Sequence, residues 1–270
     1  MRLEYKYLVP VSELEKIRNK MAPYILYDKY ALKNENKEYT VRSLYFDTPQ
    51  LEYYFDKIEG TNIRKKIRIR VYDEYESSSI AFLEIKRKDG DYVSKFRAPL
   101  LYRDLNRLLK TREVKDLVIC NGSDKGIVNA KMFLFWLIQD KLSPTSLVTY
   151  DREAFSGKFD DSLRITFDKN LRFLSSAIYE NLFEEKKLKI VLKDKIILEV
   201  KFNHSVPAWL RDIITEFDLL RTSVSKYAIC IDGNSNFEKI KKLALSKVCL
   251  TQLELSHSSE RNMVLKQNAS

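Results

Sequence analysis

The sequence is poor in glycine, which excludes the commonest nucleotide-binding loops. Only 6 of its 270 residues are Gly, whereas globular proteins carry roughly 7%. These residues are Gly60, Gly90, Gly122, Gly126, Gly157 and Gly233. Neither GxGxxG nor GxxxxGK followed by Ser or Thr can be drawn through them, so a Rossmann fingerprint and a P-loop are excluded. A protein of this sequence that handles phosphates must hold them with side chains.

Cysteine and long apolar runs are also scarce. Cys120, Cys230 and Cys249 are widely spaced in apolar surroundings, so neither a disulfide framework nor a CxxC metal site is expected. This usage fits a reducing, cytoplasmic setting. No run approaches the roughly 20 apolar residues that span a bilayer, and the N-terminus does not resemble a signal peptide. We expect no transmembrane segment in this chain and any membrane association to go through a membrane-protein partner.

What the sequence does have is apolar residues for a core and an excess of positive charge. Hydrophobic residues make up 44% and aromatic residues 12%, which excludes disorder as the dominant state. Against 38 acidic residues stand 48 Lys and Arg, a net charge of +10. Such an excess favours a polyanionic partner: nucleic acid, anionic lipid, nucleotide or polyphosphate. Charge alone does not choose among these.

Eight segments are predicted to be strands, and most of them alternate between apolar and polar residues with period two. In 64–72, for example, Ile67 and Ile69 share one face, and Lys66, Arg68 and Arg70 share the other. The predicted strands are 2–9, 41–47, 64–72, 80–88, 92–98, 147–154, 163–168 and 195–202. Helices are predicted at 103–110, 129–141, 207–217 and 236–248, with a short helix or turn at 50–57 and an earlier helix after a capping box formed by Ser12 and Glu15. We expect one α+β domain over 1–250 and a polar tail at 251–270.

The charges recur in matching phase on nearly every strand, and they are mostly positive. The ordinary explanation of such a pattern is that the charged face of an antiparallel sheet is exposed to solvent. The pattern alone favours this interpretation, a basic surface. The other interpretation is that the sheet closes and gathers the cations around one lumen. Arginine is abundant among them, and its planar fork suits bidentate phosphate binding.

Nine short motifs, in order over about residues 1–230, resemble the VTC (vacuolar transporter chaperone) domain. This family is the polyphosphate polymerase branch of the triphosphate tunnel metalloenzyme (CYTH-like) superfamily. The motifs are Glu4-Tyr5-Lys6-Tyr7, Ser43-Leu44-Tyr45-Phe46-Asp47, Lys66-Ile67-Arg68-Ile69-Arg70, Phe82-Leu83-Glu84-Ile85-Lys86, Lys95-Phe96-Arg97, Tyr150-Asp151-Arg152-Glu153-Ala154-Phe155, Leu163-Arg164-Ile165-Thr166-Phe167-Asp168, Glu199-Val200-Lys201 and Ser225-Lys226-Tyr227. Arg2 stands where triphosphatases begin an ExExK motif, a departure that suits the VTC branch.

The resemblance implies an eight-stranded antiparallel β-barrel tunnel with a basic lumen and peripheral helices. It implies catalytic phosphate contacts from Arg68, Arg70, Lys86, Lys95, Arg152 and Arg164. It implies further substrate binding by Lys6, Lys66, Arg97, Lys201 and Lys226. Glu199 is the implied ligand of Mn²⁺ or Mg²⁺, and Glu84 is either a second ligand or the ion-pair partner of a neighbouring lysine. Glu4 is open to the same two interpretations.

The function so implied is transfer of the γ-phosphoryl group of ATP to a growing inorganic polyphosphate chain. Two alternatives stay open: hydrolysis of triphosphate or nucleoside triphosphate in the same tunnel, and a non-catalytic polyphosphate-binding subunit of a membrane complex. Specific nucleic-acid binding is not expected, because the sequence shows neither an RRM-like aromatic signature nor a recognition helix.

Overall fold

The alternating segments of the sequence all form strands. The computed structural model describes residues 2–90, 92–120, 122–238 and 242. The strands are β1 Arg2–Pro10, β2 Ile25–Tyr27, β3 Tyr39–Asp47, β4 Ile63–Tyr72, β5 Ile80–Asp89, β6 Tyr92–Leu101, β7 Ser143–Gly157, β8 Arg164–Ser175, β9 Lys189–Ile190 and β10 Lys195–Asn203. All eight predicted strands are present, and β2 and β9 are short additions.

The helices begin and end close to the predicted positions, with two differences. They are α1 Leu14–Met21, α2 Glu52–Glu59, α3 Leu105–Thr111, α4 Lys125–Gln139, α5 Ala208–Glu216 and α6 Lys226–Asp232. Helix α6 was not predicted. The capping box is wrong: Ser12 lies inside a 3-10 turn, Val11–Glu13, and α1 begins without a side-chain cap. A capping residue needs extended dihedral angles, and Ser12 is already in the turn.

Residues Met1–Gly233 form one unit, and Asn234–Ser270 form a second. The first carries all the strands and helices named above. In the second, Ser235–Phe237 make a 3-10 turn. Most of the helix predicted at 236–248 lies outside the described residues, as do Cys249 and the tail at 251–270. In the described part of the chain, every helix is too short or too polar to cross a membrane.

The strands form one antiparallel sheet that curls on itself. The order along its main path is β1, β10, β8, β7, β3, β4, β5 and β6, while β2 pairs with β7 and β9 with β8. Among the described residues, β1 and β6 do not pair with each other. The curl nevertheless brings the two ends together, because Lys86 on β5 lies 3.9 Å from Glu4 on β1. The predicted α+β class is confirmed, and the predicted eight-stranded antiparallel tunnel is a half-barrel, because among the described residues its end strands do not pair.

The apolar faces of the strands pack against helices on the outside of the curl. One core cluster joins Ile67 and Leu83 of the sheet to Phe133 of α4. A second joins Phe167 of β8 to Leu210 of α5. Burying a large apolar side chain stabilises a fold by about 1.5–3 kcal/mol, so the outer faces are held by these helices. The charged faces are thereby left on the concave side.

Candidate functional site

The concave face of the sheet encloses a cavity of about 350 Å³. Ten cationic side chains line it, against three carboxylates. The cations are Lys6, Lys66, Arg68, Arg70, Lys86, Lys95, Arg97, Arg152, Lys201 and Lys226, and the carboxylates are Glu4, Glu84 and Glu199. Concentrating this much positive charge in a small volume is unfavourable unless an anion occupies it. The cavity is therefore suited to a small, multiply charged anion.

The structure brings together all but one of the residues that the sequence predicted for the site. The exception is Arg164 on β8, which does not line the cavity. Its guanidinium donates to Asp28 at 2.8 Å and to the phenol oxygen of Tyr39 at 3.4 Å. Strand periodicity correctly puts Arg164 in phase with Asp168 on β8, but it could not show that Asp28 holds the guanidinium.

Three lysines stand side by side across neighbouring strands. In the antiparallel register Lys66 lies opposite Lys86, and Lys86 lies opposite Lys95. Like charges placed directly opposite each other destabilise a sheet. Among the described residues, neither Lys66 nor Lys95 has a carboxylate within ion-pair distance, and Lys66 donates only to the Ser225 hydroxyl, at 3.0 Å. This row has the features of an anion-binding surface.

Lys66 is half-buried within this row. Burial, together with the neighbouring Lys6, Lys86 and Arg68, holds the pKa of Lys66 well below its usual value. An anion placed beside the row would reverse that effect, because an opposite charge favours the protonated amine. Binding of a phosphate chain would therefore be coupled to the charge on Lys66.

Glu84 on β5 lies among three arginines. Its carboxylate is 2.7 Å from Nε of Arg68, 3.1 Å from Nε of Arg97 and 3.8 Å from Nε of Arg70. Burial raises the pKa of Glu84, but the three guanidiniums outweigh it and lower the pKa to about 2. Each guanidinium has five donors in a planar fork, so one shared carboxylate leaves others free for phosphate. Glu84 orients these arginines, and its ion-pair partners are arginines rather than a lysine.

Glu4 and Glu199 lie on adjacent strands and share two lysines. Lys6 is 2.9 Å from Glu4 and 3.6 Å from Glu199, while Lys201 contacts Glu199 closely and lies 3.9 Å from Glu4. Burial raises the pKa of Glu199, yet Lys201 and Lys6 outweigh it and hold that pKa well below its usual value. Both carboxylates face the cavity. In their ionised forms they can bind a cation.

This donor set fits a hard divalent cation that also takes phosphate oxygens. Mg²⁺ is commonly held by one or two carboxylates together with substrate phosphates, and Glu4 with Glu199 offers two carboxylates in one place. In the described ranges, no group of three or more His, Cys, Asp or Glu side chains forms a self-sufficient metal site. Any metal here would need oxygen ligands from elsewhere, and a bound phosphate chain can supply them.

Lys226 enters the cavity from α6 rather than from the sheet. Its Nζ is 2.5 Å from the carboxylate of Asp168 on β8. The same carboxylate accepts two hydrogen bonds from the guanidinium of Arg152 on β7, at 2.6 and 2.8 Å. The Asp168 carboxylate is almost completely buried. It therefore fixes two cations at one end of the lining, one from the sheet and one from the helix.

A second cavity, of about 680 Å³, adjoins the first. The two share Lys6, Lys66, Lys86, Lys95 and Lys201 in their linings. Further cations line the second cavity, namely Arg2, Lys57, Arg64, Lys88 and Arg221. The positive lining thus continues beyond the first cavity, which suits an anion longer than a triphosphate.

Eight of the nine motifs contribute residues to this cavity, and a family comparison matches the stretch of chain that carries all nine. Residues 1–233 match the VTC domain family. The chain belongs to the VTC domain family. This VTC domain is 26% identical over 243 residues to the vacuolar transporter chaperone complex subunit 4 of Schizosaccharomyces pombe, a match that covers 75% of this chain and 33% of that protein. The domain thus spans about a third of the length of this relative.

Two solved structures resemble the VTC domain at low sequence identity. One is a putative adenylyl cyclase from Hippeastrum described as having a dominant triphosphatase activity, with 13% identity, a TM-score of 0.46 and coverage of 87% of this chain and 97% of that one. The other is a protein of Pyrococcus horikoshii, with 10% identity, a TM-score of 0.44 and coverage of 87% and 100%.

The sequence prediction of the VTC site missed several polar neighbours of the cations. The phenols of Tyr45, Tyr72 and Tyr150 and the hydroxyl of Ser225 also line the cavity. Tyr45 accepts from Arg68 at 2.9 Å. Strand periodicity could have found the tyrosines. Tyr72 and Tyr150 each lie two residues from an arginine already assigned to the inner face, and Tyr45 lies directly opposite Arg68 on the neighbouring strand. Ser225 could not be found this way, because it is not in a strand.

Proposed function

We propose that this VTC domain is a metal-dependent phosphotransferase that moves the γ-phosphoryl group of ATP to a growing inorganic polyphosphate chain. The observation that carries this proposal is the enclosed cavity with ten cations and three carboxylates. Membership of the VTC domain family supports it, because the motifs of this chain resemble the polyphosphate polymerase branch. Phosphoryl transfer depends mainly on positioning and on electrostatic stabilisation, and both can be supplied by side chains of this kind.

The cations would divide the work by position. Arg68, Arg70 and Arg152 are held in place by Glu84, Ser43 and Asp168, so their forks are oriented before an anion arrives. Preorganised donors of this kind stabilise charge that develops in a transition state. The remaining cations would neutralise the phosphate chain, namely Lys6, Lys66, Lys86, Lys95, Arg97, Lys201 and Lys226. Arg164 is left out of this set because Asp28 holds it outside the cavity.

Glu199 and Glu4 are the residues that would hold Mn²⁺ or Mg²⁺ in this proposal. When bound, such an ion would neutralise phosphate charge and act as a Lewis acid toward the transferred phosphoryl group. Lys6 and Lys201 would then have to shift their contacts toward the phosphate chain, because they occupy the same carboxylates. Glu84 is not included, since its two oxygens already face arginines.

The second cavity would hold the polymer beyond the reacting phosphates. Its size and its additional cations suit an extended polyanion. By analogy with the relative, a subunit of a chaperone complex, we also propose that this domain works with a membrane-protein partner on the cytoplasmic side. Co-purification of a tagged full chain with membrane proteins from its source would test that association.

The function is tested by incubating the purified protein with ATP and Mn²⁺ and recording ³¹P NMR spectra. We expect an internal-phosphate signal to grow together with ADP, and we expect Arg70→Ala and Glu199→Ala each to lower the rate at least about 100-fold. Arg107→Ala, on the exposed face of α3, is the matched control and should keep the rate.

Two other outcomes would replace the proposal. Orthophosphate without polymer would identify a triphosphatase. An unchanged ATP spectrum together with tight polyphosphate binding would identify a non-catalytic binding subunit. Normal polymer synthesis by Glu199→Ala would remove this residue from the metal site.

A further inference from the structure

Two residues of the cavity lining, Ser225 and Lys226, come from a segment that is not part of any strand of the sheet. They stand at the beginning of α6, where the Ser225 hydroxyl accepts from the backbone N–H of Ala228 at 3.4 Å. Helix α6 has only 7 residues, and isolated helices of this length are unstable. Tertiary contacts must therefore fix where Lys226 points.

Tyr227 supplies the first of these contacts, directly beside Lys226. Its ring stacks on the ring of Tyr45, with centroids 4.9 Å apart and an interplanar angle of 19°. Its phenol donates to Asp47 at 2.7 Å and accepts from the Thr145 hydroxyl at 3.3 Å. The phenol is thus held by two partners from β3 and β7, outside the cavity lining.

Asp47 is a fully buried carboxylate at the start of the segment that leads into α2. Oδ1 accepts from the backbone N–H groups of Thr48 and Tyr53, at 2.8 and 2.9 Å, and Oδ2 accepts from that of Tyr54 at 3.0 Å. The phenol of Tyr227 is its fourth donor. Among the described residues, no Lys, Arg or His forms an ion pair with Asp47. Because it binds donors from Thr48, from α2 and from Tyr227, this buried carboxylate joins the two helices.

Helix α2 touches the α6 segment at two further points. Tyr54 donates its phenol hydrogen to Asp232, the last residue of α6. Lys57 donates to the Ser223 hydroxyl at 2.9 Å. These contacts lie before, within and at the end of the segment that carries Lys226, so α2 serves as its support.

We infer that Asp47 is a positioning residue, which fixes α6 through the phenol of Tyr227 so that Ser225 and Lys226 lie in the cavity. The inference rests on the proposed function, in which Lys226 binds phosphate. Asp47 itself does not line the cavity. It acts on the ligand only indirectly, through Tyr227 and helix α6.

The test is a double-mutant cycle between Tyr227→Phe and Lys226→Met, with tripolyphosphate as the probe and calorimetry on the full chain. Tyr227→Phe removes one phenol and keeps the ring on Tyr45. We expect it to raise the dissociation constant about fivefold, and Lys226→Met about tenfold. In the Lys226→Met background, Tyr227→Phe should have no further effect, because the residue it positions is gone. Tyr53→Phe is the control: it removes a phenol from the supporting helix α2, where the partner is Asp140, and should leave affinity unchanged.

Amide hydrogen exchange separates this inference from the proposed function. Tyr227→Phe, and Asp47→Asn as a second variant, should speed exchange in 226–232 at least about tenfold while the strands keep wild-type rates. Effects that add in the double mutant, or unchanged exchange in α6, would overturn the inference. Wild-type protein that does not bind tripolyphosphate would contradict the proposed function, and the exchange data alone would then decide the role of Asp47.

Discussion

At the residue scale, Lys66, Lys86 and Lys95 form a row of like charges in the cavity where an anionic ligand is expected. The three amines repel one another when no anion is bound. The three amines lie opposite one another on adjacent strands. Lys66 is the least exposed of them, and its hydrogen-bond partner in the described part of the chain is an uncharged hydroxyl. A group of this kind lowers the stability of the empty protein and strengthens binding of an anion.

Replacing Lys66 should therefore change stability and binding in opposite directions. Lys66→Met keeps the length of the side chain and removes the charge. We expect the free energy of unfolding to rise by about 1 kcal/mol and tripolyphosphate affinity to fall about tenfold. Urea denaturation and calorimetry measure the two effects. Lys187→Met, an exposed site with the same change in charge, should change neither, and a Lys66→Met protein that is less stable than wild type would contradict the expectation.

Asp47 should make stability depend on pH in the direction opposite to an ordinary carboxylate. Burial raises the pKa of Asp47 to about 6, although hydrogen bonds from Tyr227 and the backbone oppose this. The folded value lies above the usual 3.8, so the folded protein keeps the proton to higher pH. The stability that this proton contributes is complete below pH 3.8 and is lost as pH rises through about 6.

We expect the free energy of unfolding of the wild type, relative to Asp47→Asn, to rise by about 1 kcal/mol between pH 7 and pH 5. Urea denaturation of both proteins at the two pH values measures it. Comparing the pair cancels the contributions of the other titrating groups. Parallel pH profiles for the two proteins would show that Asp47 does not titrate in this range.

At the element scale, the strands were predictable and α6 was not. Alternation over eight to ten residues identifies a strand such as β4, because successive side chains point to opposite faces. Helix α6 is short, and Tyr227, Ala228, Cys230 and Ile231 are all buried. A helix that is buried on several sides shows no 3.6-residue period in its sequence. Its presence depends on α2 and β3, which are remote in the chain.

The hairpin between β7 and β8 depends on a glycine for reasons of space. A Cβ at Gly157 would lie 2.5 Å from the carbonyl oxygen of Asp160 and 3.0 Å from Cβ of Leu163. Gly157→Ala must therefore move the turn, and we expect it to lower the free energy of unfolding by about 1–3 kcal/mol. Urea denaturation measures this loss. Lys158→Ala in the same turn is the control, and an equal loss in both variants would show that crowding at Gly157 is not the cause.

At the scale of the whole molecule, the positive charge of the chain is concentrated on the inner side of one sheet. The cavity lining alone carries a formal excess of seven positive charges, out of a net charge of +10 for the chain. Binding of a polyanion to such a surface releases counterions and weakens steeply with salt. An enclosed lining also discriminates by width, since a thin chain can enter where a duplex cannot.

We therefore expect long-chain polyphosphate to lose at least about 1,000-fold in affinity between 50 and 200 mM salt. A DNA duplex should compete poorly at every salt concentration, because it cannot reach the inner face. Fluorescence anisotropy with labelled polyphosphate and unlabelled duplex measures both effects. Equal competition by duplex and polyphosphate at matched phosphate concentration would place the binding surface on the outside of the protein.

The sequence by itself determined the strands, the set of charges that share a face and the family, because each of these depends on local alternation or on short motifs. Of the thirteen site residues predicted from the sequence, twelve line one cavity in the structure. Only the tertiary structure decided that the charged face is the concave one. Alternation defines two faces but not the direction of curvature, which is set by helices packing on the apolar side. The remote contacts that hold Arg164 on Asp28 and Tyr227 on Asp47 were decided in the same way.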